Sequence, residues 1–127
     1  MRNLKPSFTP GIIWLIISTI LFCLPGSALP KETWLEKIWF DKWVHISIFI
    51  VMIIVWSWAF TKKQNQNSRL RIIFMCLALI GLLYGAGIEF IQDAWIPNRD
   101  FDAGDIVADG IGCLAGFIFC AGRFIKK

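Results

Sequence analysis

Four apolar stretches dominate the chain, and each is long enough to decide what surrounds it. They cover residues 11–28 (GIIWLIISTILFCLPGSA), 42–60 (KWVHISIFIVMIIVWSWAF), 72–92 (IIFMCLALIGLLYGAGIEFIQ) and 105–124 (DIVADGIGCLAGFIFCAGRF). Crossing the hydrocarbon of a bilayer takes about 20 mostly apolar residues in a helix. Backbone groups in lipid must bond within their own segment, so spans of this length are helical. Composition agrees: 57% of the 127 residues are hydrophobic and 17% charged, against roughly 45–50% and about 25% in soluble domains. The expected fold is an all-α membrane protein, a bundle of four transmembrane helices. The connections are short and free of repeats or low-complexity sequence, so 1–127 reads as a single transmembrane domain.

Charge placement orients the bundle. Arg2 and Lys5, then Lys62, Lys63, Arg69 and Arg71, then Arg123, Lys126 and Lys127 fall on one side, with no acidic residue among them. All 9 carboxylates lie on or near the other side. Basic flanks mark the cytoplasmic face, which puts both termini of this multi-pass chain in the cytoplasm. The net charge of +4 is therefore a basic inner face added to an acidic outer one, and nucleic acid drops out as a partner. Trp14, Trp56 and Trp58 fall near the inner boundary, and Trp34, Trp39, Trp43 and Trp95 near the outer one, as amphipathic rings favour. Trp34, Leu35, Ile38 and Trp39 share a helical face, which predicts a short interfacial helix between the first two spans. The first span also has the layout of a secretory signal, with Gly26-Ser27-Ala28 as a cleavage site. Retention is favoured because four spans keep both basic ends inside; cleavage would leave three spans in the same orientation.

Polar residues gather at the outer helix ends. Asp41 and His45 are one turn apart at the start of the second span, Glu89 and Gln92 close the third, and Asp105 and Asp109 open the fourth. Arg99 and Asp102 stand in the loop between the last two. At 100° per residue, Gly81, Gly85 and Gln92 share a face with Glu89 at its margin, and Asp105, Asp109, Gly112 and Gly116 share another. Small residues let transmembrane backbones approach, so both polar pairs are expected to point into the bundle. Ionisable groups at membrane depth are costly and are by default functional or paired.

The series Asp41-Lys42-x-x-His45, Glu89-x-x-Gln92, and Arg99-x-x-Asp102-x-x-Asp105-x-x-x-Asp109-x-x-Gly112-x-x-x-Gly116 resembles the VanZ-like family of bacterial membrane proteins over nearly the whole chain. The resemblance implies a small helical inner-membrane protein, and the family's named member is associated with glycopeptide (teicoplanin) resistance. It implies no particular reaction. Asp109 stands where the family usually carries Asn, which adds a charge to an acidic cluster.

The function expected is binding of a cell-wall precursor, lipid headgroup or other envelope component at the outer face, through Asp41, His45, Glu89, Gln92, Arg99, Asp102, Asp105 and Asp109. Arg99 could grip a phosphate or carboxylate or simply pin its loop to Asp102 or Glu89. His45 beside Asp41 could organise a site or sit in an ion pair. The first alternative is an intramembrane enzyme acting on such a headgroup with Glu89, Asp109 and His45 as acid/base candidates; the second is proton or ion transport. An enzyme is the less favoured reading. No cofactor is expected, nor a metal, because no ligand spacing such as H-E-x-x-H is present. Cys23, Cys76, Cys113 and Cys120 lie unpaired in apolar runs. Ser18, Ser27, Ser47 and Ser57 lack a recognisable base partner.

Overall fold

The computed structural model describes residues 7–24, 40–64, 66–97 and 101–125. Among them the chain is helical: α1 (Thr9–Phe22), α2 (Phe40–Phe60), α3 (Asn67–Trp95) and α4 (Ala103–Phe124). The last three are long and apolar enough to cross a membrane. Their 21, 29 and 22 residues correspond to about 32, 44 and 33 Å at 1.5 Å per residue. The helix α3 runs past the expected 72–92 at both ends, through Asn67, Ser68 and Arg69 and through Asp93 to Trp95. Polar flanks end an apolar stretch without ending a helix.

The first expected span, 11–28, is the exception. Its described helix has 14 residues and stops at Phe22, where the Cys23 amide donates to Thr19 and Ile20 carbonyls. At about 21 Å it is shorter than the hydrocarbon thickness of about 30 Å. Residues 25–28 of that span, and the expected interfacial helix before α2, lie outside the described residues.

Which residues face inward explains how the helices meet. The bundle hides Gly81, Gly85, Gly112, Gly116, His45, Glu89, Gln92 and Asp109, while Ile72, Leu79, Leu83, Ile111, Leu114 and Ile118 face outward. Small and polar inside, aliphatic outside is the arrangement of helices that associate by close backbone approach in an apolar surrounding. The most extensive interface joins α2 and α4. A Cβ on Gly112 would stand 2.6 Å from the Ile46 carbonyl oxygen, and one on Gly116 would stand 2.8 Å from Ile53 Cβ. Only hydrogen fits there. Below these contacts Phe49, Ile53, Phe74, Cys113 and Cys120 form the apolar core.

The helix α1 lies against α2 and α3 through Gly11, Ser18 and Phe22, its buried residues. Trp14 Nε1 donates to the Ile48 carbonyl at 3.0 Å, and the Thr19 and Tyr84 hydroxyls share a hydrogen bond of 2.6 Å. Trp56 packs over Gly11. Two tryptophans expected at a membrane boundary thus also fasten α1 to its neighbours.

Candidate functional site

Where α2 and α4 begin and α3 ends, the helices bring together His45, Glu89, Asp102, Asp105 and Asp109, with Lys42 among them. Local rules place each side chain. Lys42 and His45 are three residues apart and so share a face of α2. Asp102 caps α4: its Oδ1 accepts from the Gly104 amide at 2.8 Å, as a short acceptor before a helix does. Asp105 then falls in the first turn, where the helix dipole favours an anion. One turn later Asp109 points inward against Gly85, and a Cβ there would stand 2.9 Å from the Asp109 Cγ. The small residue on α3 makes the room that the carboxylate on α4 occupies.

Lys42 Nζ donates to Asp102 Oδ2 at 2.5 Å and to Asp105 Oδ1 at 2.7 Å. His45 Nδ1 lies 2.7 Å from Asp109 Oδ1, and Nε2 lies 3.6 Å from Asp105 Oδ2. An ionised carboxylate only accepts, so with Asp109 ionised the bond is made by a proton on Nδ1. The Phe22 ring covers His45 with centroids 4.9 Å apart. Glu89 Oε1 accepts from the Asp102 amide at 2.6 Å, whereas Glu89 Oε2 is buried with no hydrogen-bond partner. His45, Glu89 and Asp109 are all buried, the last two almost completely. Asp102 is different, with its side chain about half exposed, and the hydrogen bond from Lys42 holds its carboxyl below the usual carboxylate range.

Gln92 shares the buried face of Glu89 but serves α1: its Nε2 donates to the Phe22 carbonyl at 2.8 Å, satisfying an acceptor left open at the end of a helix. Asp41 stands in the first turn of α2; its side chain, and Arg99, lie outside the described residues. Lys42 stands outside the eight residues of the expected binding set, yet it lies one turn before His45 on the same face of α2. The partners Asp102 and Asp105 are some sixty residues away in sequence, which hides the pairing.

The arrangement holds charge in a mostly dehydrated place, can present a carboxylate oxygen to a donor, and can keep an imidazole in one orientation. Among the described residues no three His, Cys, Asp or Glu side chains are grouped to hold a metal ion. Comparison with known protein families, curated proteins and solved structures returns no match in any of the three.

Proposed function

We propose that this is a VanZ-like integral membrane protein of the bacterial cell envelope, lying multi-pass in the inner membrane with both termini cytoplasmic. In this reading the cluster of His45, Glu89, Asp102, Asp105 and Asp109 faces outward and binds a lipid headgroup, a lipid-linked cell-wall precursor or a related envelope ligand. The observation that carries it is the convergence of these side chains at one end of three long apolar helices. Structural pairing accounts for Lys42 and His45, but it leaves Glu89 Oε2 unsatisfied. The basic residues that flank the other side of the spans with no acidic residue among them support the orientation, and the motif order supports the family and a link to glycopeptide resistance.

The test is native mass spectrometry of the full chain released from membranes of a bacterium that makes lipid-linked wall precursors. A bound lipid or precursor that persists through purification, and is lost in Glu89→Gln, is expected. Protein that emerges unliganded and shows no saturable uptake of added lipids or precursors would overturn the binding reading.

One observation favours a second reading, acid/base catalysis on the same headgroup. Asp109 fixes the imidazole through Nδ1, while Nε2 has only a 3.6 Å approach from Asp105, too long for a hydrogen bond. A nitrogen so placed can exchange a proton with a ligand. Turnover of a bound precursor, abolished by His45→Gln in folded protein, distinguishes catalysis from binding.

A further inference from the structure

Resting on the binding reading above, we infer that the group this cluster receives is a hydrogen-bond-donating ammonium, and that Glu89 Oε2 is the atom that accepts from it.

Three carboxylates of the cluster stand beside a basic side chain. Asp102 and Asp105 share Lys42, and Asp109 has His45. Among the described residues Glu89 has only the neutral amide of Asp102, on Oε1. Its side chain is 1% exposed. A buried acceptor without a partner costs free energy, and a ligand donor placed there removes that cost. Among the described residues, four carboxylates around one lysine and one histidine also set the sign of the ligand. A phosphate or carboxylate brought to Glu89 meets the like charge of the surrounding aspartates, and a neutral hydroxyl satisfies the oxygen but does nothing to balance them. An ammonium does both, through the strong hydrogen bond formed between charged partners.

The surroundings point the same way. Around this end of the bundle Trp43 and Trp95 are exposed, and Phe90 and Phe101 pair with centroids 5.3 Å apart. Aromatic rings of this kind sit at headgroup depth, and they attract cations over their faces. Glu89 Oε2 itself is sealed in this conformation, so a ligand reaches it through a local opening.

Two sources offer the chemistry, an aminophospholipid headgroup and a water-soluble primary amine. Purified full-length protein in detergent is titrated with phosphatidylethanolamine, phosphatidylcholine, phosphatidylglycerol and soluble ethanolamine, with binding read by native mass spectrometry and by the shift in thermal midpoint. Ethanolamine headgroups offer N–H donors, choline headgroups carry the same charge without them, and glycerol headgroups carry no amine. Binding at least tenfold tighter for phosphatidylethanolamine than for phosphatidylcholine is expected, and that preference should vanish in Glu89→Gln. Competition by soluble ethanolamine assigns the site to a free amine; its failure to compete assigns it to the lipid. Equal affinity for the ethanolamine and choline lipids overturns the inference, as does an undiminished preference in Glu89→Gln. The wild-type comparison stands even if that variant fails to fold. Saturable binding of phosphatidylglycerol or a precursor without amine preference would sink the ammonium alone, whereas no binding of any probe would sink the binding reading with it.

Discussion

The seam between α2 and α4 and the attachment of α1 are two different ways of joining helices. In the seam, glycines bring one backbone against another, with Gly112 under Ile46 and Gly116 under Ile53. Lys42, His45, Asp105 and Asp109 then close one end with ion pairs. The helix α1 is held by side chains: Trp56 over Gly11, Trp14 on the Ile48 carbonyl, Thr19 on Tyr84, and Gln92 on the Phe22 carbonyl. Backbone contacts and buried charge have no rotamer with which to adjust, whereas an indole or a hydroxyl does. The seam should therefore be intolerant of change and α1 comparatively forgiving.

The largest effect is expected at the buried charges of the seam. Removing one partner of a buried pair leaves the other uncompensated, typically at about 3–5 kcal/mol. Asp109→Leu and His45→Leu should each destabilise by that order, measured by unfolding in mixed micelles. Asp109→Asn keeps an acceptor for His45 Nδ1 and should cost less than Asp109→Leu. The double variant His45→Leu/Asp109→Leu should recover part of the summed loss, because neither charge remains. Strict additivity of the two single losses would mean that the pair does not act as a unit.

Next in size are the glycines. At Gly112 an added methyl meets a backbone oxygen, so the helices must separate; Gly112→Ala should lose about 1–3 kcal/mol by overpacking. Gly87 and Gly122 have nothing within 4 Å of a Cβ, and Ala there should be neutral or stabilise by about 0.5–1 kcal/mol through helix propensity. Equal behaviour of Gly112→Ala and Gly122→Ala would remove the distinction between seam and surface.

The inward face of α4 was legible in the sequence because its signal is local: Asp105, Asp109, Gly112 and Gly116 recur at the spacing of one helical face, whereas its packing on α2 was not. Three long apolar helices were legible for the same reason. The extent of α1 was not, since hydropathy carries on to Ala28 while the described helix ends at Phe22. Gln92 lies on the face its spacing predicts, but its bond to the Phe22 carbonyl was not legible, because a periodicity states direction and not what waits there. The Lys42 pairs depend on α4 starting beside α2, a tertiary fact that no spacing within either helix contains.

A smaller effect is expected at α1. Trp14→Phe keeps the ring and loses one hydrogen bond, and Thr19→Val loses another; each should cost about 0.5–1.5 kcal/mol. Gly11→Ala meets Trp56 ring atoms from 2.9 Å, which can give way, so it should be milder than Gly112→Ala. Measured losses at α1 equal to those at the buried charges would reverse the ranking of the two attachments.

The smallest effect separates the exposed end of the seam from its buried part. Asp102 is held below the usual carboxylate range chiefly by the Lys42 hydrogen bond, so it stabilises the folded chain at pH above the ordinary carboxylate value. That contribution is lost as pH falls through the lowered folded value, because protonation removes the charge that Lys42 meets. With the Asp102 side chain 47% exposed, water screens the pair, and about 0.2–1 kcal/mol is the scale expected. Asp102→Asn keeps a cap for the Gly104 amide and removes only the ionisation. The thermal midpoint of the wild type should exceed that of Asp102→Asn by a degree or a few at neutral pH, and the gap should close as the solution is acidified. Other carboxylates titrate in both proteins, so only the difference between them reports on Asp102. A gap that widens on acidification would mean that Asp102 is destabilised as an anion, and that the lysine across the mouth of the seam serves Asp105 alone.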